Sequence, residues 1–124
     1  MTMNPEIKQQ WVAALRSGEY RQGKYMLHNV DENTYCCLGV LCDLAVKAGL
    51  QVDKSAGKHN EYTVIAYDGN QYSLPALVIE WAGLETDIPE TAVEDEGGEP
   101  MNVAQLNDRG WSFVQIADVI EREL

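Results

Sequence analysis

The segment YCCLGVLCDLAVKAGL, residues 35–50, constrains the fold of this chain most strongly, because it combines three cysteines with a nearly continuous run of apolar side chains. Asn33 or Thr34 is its predicted N-cap, and Ala48-Gly49 is its predicted end. A helix this apolar needs the rest of the chain to cover it, so we predict that it lies in the core. Its apolar residues recur at helical spacing and form one continuous face: Cys37, Leu38, Leu41, Cys42 and Ala45.

The other segments predict further helices and one β-hairpin. The run YTVIAY, residues 62–67, predicts a strand, followed by an Asp-Gly-Asn turn and a second short strand through Leu74. Residues 19–29 fit either an irregular loop or a short strand, and both interpretations stay open. A capping box of Ser112 and Gln115 begins the last helix. Helices are predicted over residues 4–17, 75–83, 103–106 and 113–123.

A length of 124 residues suits one domain with one core. No internal repeat or linker divides the sequence, so we predict a single domain over residues 1–124. Its predicted class is α+β, with helices packed around a small antiparallel sheet or β-hairpin. Residues 84–100 are rich in acidic residues and glycine and lack apolar periodicity, which predicts an acidic surface loop.

The charge balance argues against several classes of partner. The formal net charge is −11, and a field of that sign repels both nucleic acid and membrane surfaces. The longest apolar run is too short to cross a bilayer, and no charged and then apolar leader opens the sequence. We therefore expect a cytoplasmic protein that binds neither nucleic acid nor a membrane directly.

The cysteines permit a structural and a chemical interpretation. Three thiols, two of them adjacent, do not suit disulfide pairing, and no CxxC or histidine pair completes a metal site. We expect no metal and no cofactor. Cys37 and Cys42 fit the apolar helix face as small core residues. Cys36 is predicted in the first helical turn, where the helix dipole favours a thiolate, and it is the candidate reactive thiol.

The spacing CLGVLCDLAVKAGL, which begins at Cys37, resembles the catalytic helix of papain-like cell-wall peptidases. The resemblance covers this segment alone and implies a nucleophilic cysteine with a histidine base on a following strand. The chain departs from the pattern, because Leu38 replaces the family's serine and Thr63 occupies the expected histidine position. The candidate residues of such a thiol hydrolase are Cys36 or Cys37 with His28 or His59.

A basic and aromatic stretch after the first predicted helix is a candidate ligand site. Cations pair with phosphate and tyrosine rings stack on bases, so this stretch suits a small phosphorylated or nucleotide-like ligand. In the alternative interpretation, Arg16 complements the helix dipole and the other cations pair with acidic residues. The candidate residues are Arg16, Tyr20, Arg21, Lys24 and Tyr25.

The acidic loop is a candidate protein-binding surface. Residues 80–99 contain no basic residue, and a dense acidic surface complements a basic patch on another protein and accelerates their encounter. Simple solvation of the charges is the alternative. The candidate residues are Glu90, Glu94, Asp95, Glu96 and Glu99.

The order of the segments WVAALRSGEY, YCCLGVLCDLAVKAGL, YDGNQYSLP, WAGL and LNDRGWSFVQIADVIE is similar to a family of small acidic proteins encoded by tailed phages. This resemblance spans nearly the whole chain, carries over no catalytic or binding residue, and implies a protein made inside a bacterial host cell. We expect a non-enzymatic accessory protein that binds a host protein through charged surfaces, for example a protein involved in defence. Sequestration of a small phosphorylated ligand and thiol hydrolysis are the alternatives, and a homo-oligomer stays open.

Overall fold

This computed structural model describes residues 3–124. In this part of the chain, helices contribute most of the core residues, and two small antiparallel sheets complete the fold. The helices are α1 (Pro5–Ser17), α2 (Cys37–Lys47), α3 (Ala76–Ala82), α4 (Val103–Asp108) and α5 (Phe113–Glu123). The strands are β1 (His28–Asn29), β2 (Thr34–Tyr35), β3 (Lys54–His59), β4 (Tyr62–Tyr67), β5 (Glu90–Glu94) and β6 (Pro100–Asn102). The predicted α+β class is confirmed. None of the described helices combines the length and the hydropathy needed to span a membrane.

Helix α2 lies at the centre of the core, as its apolar sequence predicts. Every residue from Cys37 to Cys42 is buried, and α1, α3 and α4 pack around the helix. The fully buried indole of Trp11 on α1 donates a hydrogen bond from Nε1 to the carbonyl oxygen of Cys37, at 2.9 Å. Helix α1 also packs along α5, so the terminal helices close the core over α2.

The first sheet has the strand order β2-β1-β4-β3, and each neighbouring pair is antiparallel. At one edge, Tyr35 of β2 forms a parallel bridge with Gln22, so the loop before β1 covers that edge. At the other edge, β4 is the one described strand that pairs with β3. The segment 19–29, whose conformation the sequence leaves open, is therefore a loop with one bridge that ends in β1.

The predicted hairpin has the wrong partner strand. Strand β4 occupies residues 62–67 as expected, but it pairs with the preceding β3 through a turn at Asn60-Glu61. The predicted turn after β4 is present, with hydrogen bonds in both directions between the backbones of Tyr67 and Asn70, but an isolated bridge takes the place of the predicted second strand. Strand β3 carries no sequence signal of its own, because its lysines, serine and glycine show no apolar periodicity. Pairing with β4, rather than burial, makes it a strand.

The predicted acidic surface loop also contains regular structure, and its prediction as a loop throughout is wrong. Strands β5 and β6 form a separate hairpin within residues 90–102. The hydroxyl of the buried Thr91 donates a hydrogen bond to the carbonyl oxygen of Met101, at 2.8 Å, and joins the two strands. The sequence signal was weak because few side chains of this hairpin face the core.

The helix limits follow their capping residues. The Ser112–Gln115 capping box at the start of α5 is confirmed, and an unpredicted box of Asn102 and Gln105 begins α4. Helix α2 begins later than predicted, because Thr34 and Tyr35 belong to β2 and Cys36 is the N-cap.

The side chain of Asn107 joins the start of α2 to the loop before β1. This residue is fully buried, and its Oδ1 accepts hydrogen bonds from the Cys37 N–H, at 3.2 Å, and from Nε2 of Gln22, at 3.0 Å. Its Nδ2 donates to the carbonyl oxygen of Gly23, at 2.8 Å. The side chain of the N-cap residue Cys36 forms no capping hydrogen bond. The carboxamide of Asn107 instead satisfies one of the free N–H groups at this helix end.

Because Gly39 has no side chain, α2 lies closer to the backbone of Leu27, just before β1, than it could with any other residue at this position. A Cβ atom at this position would lie 1.7 Å from the carbonyl oxygen of Leu27. We predict that Gly39→Ala lowers the free energy of unfolding by about 1–3 kcal/mol, because either the helix or the loop has to move. Urea denaturation measures this change.

Gly97→Ala is the matched control, since its Cβ would make an ordinary contact, at 3.5 Å from Oδ1 of Asp95. We expect this substitution to change stability by less than about 0.5 kcal/mol. Equal stability of the two variants would contradict the close approach of α2 to Leu27.

Candidate functional site

The three cysteines are buried and form no disulfide. Burial raises the pKa of Cys36 to about 11, although the N–H groups of Gly39 and Leu38 act in the opposite direction. Burial also raises the pKa values of Cys37 and Cys42. The interpretation of Cys37 and Cys42 as core residues is confirmed. The expected reactive character of Cys36 is not supported, because desolvation outweighs the helix terminus beside it.

Neither histidine completes a thiol site. Nε2 of His28 lies 3.3 Å from Oδ1 of Asn33, and the imidazole stacks on Tyr35 with the ring centres 4.0 Å apart. Burial lowers the pKa of His28. Nδ1 of His59 lies 2.6 Å from the hydroxyl of Tyr72. Within residues 3–124, no hydrogen bond joins either imidazole to a cysteine, so the geometry gives no support to a thiol hydrolase.

The predicted ligand residues separate into two groups, of which the first is already engaged within the fold. Arg16 lies 2.7 Å from Asp118 and 3.2 Å from Glu121 on α5, and these hydrogen bonds raise its pKa. Tyr20 donates a hydrogen bond to Asp43 on α2, where Lys47 also binds the same carboxylate. Arg16 and Tyr20 are therefore structural contacts between helices and the adjoining loop.

The second group, Arg21, Lys24 and Tyr25, lies exposed on the loop between α1 and β1. Tyr25 has a φ of 72°, and a hydrogen bond of 2.8 Å from the Met26 N–H to the carbonyl oxygen of Lys24 closes a γ-turn around it. The Asp108 carboxylate accepts a hydrogen bond from the Tyr25 N–H, at 2.9 Å, and holds the turn. Such a backbone costs about 1–3 kcal/mol, and the tyrosine it carries is 59% exposed.

The predicted acidic residues are presented on the β5–β6 hairpin. Oδ1 of Asp95 accepts hydrogen bonds from the N–H groups of Gly97, at 2.9 Å, and Glu99, at 3.0 Å, and these bonds lower its pKa. This turn orders the connection between the strands. Glu96 lies 3.1 Å from Arg109, which is the one cation that forms an ion pair with the hairpin among residues 3–124.

A shallow cavity of about 550 Å³ lies beside this turn. Half-buried Trp111 and buried Met101 provide its apolar surface, while Glu94, Asp95 and Glu96 are the acidic residues beside it and Arg109 is the cation. The hairpin therefore joins a dense group of carboxylates to an aromatic ring at one surface. Among the described residues, no group of three or more histidine, cysteine, aspartate or glutamate side chains is arranged to hold a metal ion.

A family model described as "Domain of unknown function (DUF8296)" matches residues 3–124. The chain belongs to the DUF8296 family. None of the curated proteins and none of the solved structures matches the chain. The DUF8296 match includes helix α2, the loop between α1 and β1 (the γ-turn loop) and the β5–β6 hairpin (the acidic hairpin), so all three belong to the family's domain.

Sequence reasoning missed the residues that position these surfaces in the DUF8296 domain. Gln22 bonds through Nε2 to the carbonyl oxygen of Trp111, at 2.7 Å, and through Oε1 to the Phe113 N–H, at 3.0 Å. With Asn107 and Asp108, it connects the γ-turn loop to α4 and α5. Polar residues in an unassigned loop and at a helix end carried no signal of these long-range bonds.

The burial of the cysteines predicts slow thiol alkylation in the native DUF8296 domain. A rise in the pKa of Cys36 from 9.0 to about 11 reduces its thiolate fraction about a hundredfold at neutral pH, and burial slows the reaction further. Mass spectrometry after iodoacetamide treatment should therefore find Cys36 unmodified until urea unfolds the chain. Alkylation of Cys36 in native protein at the rate of the unfolded chain would contradict its burial.

Proposed function

We propose that the protein is a non-enzymatic accessory protein that binds a basic surface of another protein through the β5–β6 hairpin. One observation carries the proposal. The exposed carboxylates of Glu90, Glu94 and Glu99 stand on an ordered hairpin, and no ion pair within residues 3–124 neutralises them. Because the backbone of the hairpin is already ordered, a partner's lysines and arginines bind these carboxylates with a smaller loss of conformational entropy than in a flexible loop.

The hairpin also suits rapid and specific association. A concentrated negative field accelerates encounter with a basic surface, and a fixed arrangement of charges selects the orientation of the complex. Trp111 beside the carboxylates offers a ring on which an arginine or lysine side chain of the partner stacks. Because these charges are exposed, binding should weaken as the salt concentration rises.

The resemblance to small acidic proteins of tailed phages supports a biological setting for this function. In that setting, the protein is made in the cytoplasm of an infected bacterium and its partner is a host protein. A basic host protein that normally holds nucleic acid, such as a component of a defence system, matches the charge of the hairpin. The acidic surface would then occupy the site of the phosphate backbone.

The triple substitution Glu90→Lys, Glu94→Lys and Glu99→Lys tests this function. We predict that the tagged variant captures its host partner at least about tenfold less efficiently than the wild type, because attraction becomes repulsion. Quantitative mass spectrometry of affinity-purified material from infected cells measures the capture. These three residues make no ion pair in the described part of the chain, so the fold should persist.

The matched control reverses Glu6, Glu19 and Glu80, which are exposed and lie outside the hairpin. It changes the net charge by the same amount and should retain the partner. Thermal unfolding of both variants confirms that they remain folded. Equal capture by the wild type and the hairpin variant would exclude the hairpin as the binding surface.

A second candidate function is sequestration of a small phosphorylated or nucleotide-like ligand by the γ-turn loop. The exposed side chains of Arg21 and Lys24 form no ion pair within residues 3–124, although the chain contains 20 acidic residues. Tyr25, which follows Lys24 in the chain, offers an exposed ring for a base. The loop thus retains the two chemical groups that such a ligand needs.

Native mass spectrometry of protein purified from bacteria tests this second function. We predict a mass excess that disappears on denaturation and is lost in the variant Arg21→Ala/Lys24→Ala, which lacks both anion partners. The variant Lys54→Ala/Lys58→Ala has the same net charge and should keep the mass excess. A wild-type spectrum without retained mass would contradict sequestration.

A further inference from the structure

Strand β3 presents an open sheet edge. The sheet order places it outermost, and its only partner among the described strands is β4. The N–H and the carbonyl oxygen of Thr63, opposite Lys58, bond to Asp31 and Val30 on the far side of β4. Antiparallel pairs alternate, so Lys58 and, two residues earlier, Ala56 direct their own backbone groups away from β4. Within residues 3–124 no hydrogen bond engages these groups, so they form an unpaired ladder.

The core does not explain why β3 is an extended strand. Four of its six residues are exposed and none belongs to the hydrophobic core. Alanine, glycine and lysine also have low strand propensity. The strand follows β4 along its whole length without contributing apolar burial. Its regular edge is therefore the feature that it adds to the molecule.

The charge of this edge is opposite to that of the molecule. Lys54 and Lys58 are exposed and lie on the same face of β3, because they are four residues apart in a strand. Nζ of Lys58 bonds to the hydroxyl of Thr63, at 3.0 Å, and Nζ of Lys54 lies over the ring of Tyr67. Neither forms an ion pair within residues 3–124, in a chain with a net charge of −11.

The other face of this edge is small and aromatic. Ser55 is exposed, the side chain of Gln71 lies beside Gly57 with its Nε2 3.0 Å from where a Cβ atom would be, and His59 contacts Tyr72 at the end of the strand. Tyr72 is 47% exposed and Tyr62, opposite His59, is 40% exposed. Tyrosines in such positions are common anchors of protein interfaces. One face of an added strand would therefore meet lysines, and its other face would meet aromatic rings.

We propose that β3 is a docking edge for an extended acidic segment of a partner protein, which adds to the sheet as a further antiparallel or parallel strand. The main-chain groups around Ala56 supply the affinity, as in other cases of β-augmentation. Lys54 and Lys58 select acidic side chains at alternate positions of that segment. This surface is separate from the acidic hairpin. It would attract acidic partners, whereas the hairpin would attract basic ones.

Two other occupants fit these observations less well. A second copy of the chain paired through β3 would bring the Lys54 and Lys58 side chains of both copies together, and like charges across strands are destabilising. A nucleic acid would use the lysines and tyrosines but not the main-chain ladder, and the net charge of the protein would repel its phosphates.

Selection of peptides on the full chain tests the proposal. The probe is a yeast-displayed library of random dodecapeptides, and amide hydrogen exchange then locates the best binder. We expect enriched peptides to carry aspartate or glutamate at alternate positions and to slow exchange of the Ala56 and Lys58 amides. The triple lysine variant of the β5–β6 hairpin should bind them equally, which separates this site from the proposed function.

Substitutions at the edge distinguish strand addition from simple charge attraction. Ala56→Pro removes an outward N–H without removing a bond to β4 and should weaken peptide binding at least about tenfold, whereas Ala56→Val keeps the N–H and the affinity. The variant Lys54→Glu/Lys58→Glu should also bind the acidic peptide at least about tenfold more weakly. This variant provides the test of the edge if the proline variant does not fold.

Several results would overturn the proposal. These are failure to enrich any peptide, enrichment without acidic residues, or protection of amides outside β3. Protection of β3 that increases with protein concentration alone would assign the edge to a second copy of the chain. Protection by a single-stranded oligothymidylate, with no effect of the acidic peptide, would assign it to nucleic acid.

Discussion

The buried carboxamide of Asn107 is the interaction on which the arrangement of the surfaces depends. It satisfies the Cys37 N–H at the start of α2 and binds both Gln22 and the backbone of Gly23. An unpaired polar group in this position would cost the free energy of its desolvation, so the loop, α2 and α4 have one favourable arrangement. Through Gln22, the same network reaches the start of α5. The core thereby determines where the exposed loop lies.

The parts of the fold that bury apolar side chains could be predicted from the sequence, and those held by polar or backbone bonds could not. Helices α1, α2 and α5 show helical periodicity and capping residues, which are local signals. Strand β3 is defined by its pairing with β4, and the β5–β6 hairpin by bonds of Thr91 and Asp95. The candidate residues show the same division. Burial of Cys37 follows from its helix face, whereas the engagement of Arg16 by α5 joins residues distant in sequence.

Charge is distributed in this molecule so that its two proposed docking surfaces attract partners of opposite sign. The β5–β6 hairpin carries carboxylates on a folded element, and the β3 edge carries two lysines that form no ion pair in the described part of the chain. Because screening limits such fields to about 10 Å at moderate ionic strength, each surface acts through its local charge rather than the net charge. Under the two proposals, the protein would join a basic partner to an acidic one.

The γ-turn loop differs from most exposed loops in its attachment to the core. Cys36 donates a hydrogen bond to the carbonyl oxygen of Met26, and the backbone of Leu27 lies against Gly39 of α2. Surface loops commonly accept insertions and deletions during evolution because their backbones are free of the core. Here an inserted or deleted residue would displace these contacts, while replacement of the side chains of Arg21, Lys24 and Tyr25 would not. Related proteins should therefore keep the length of this loop while its exposed chemistry diverges.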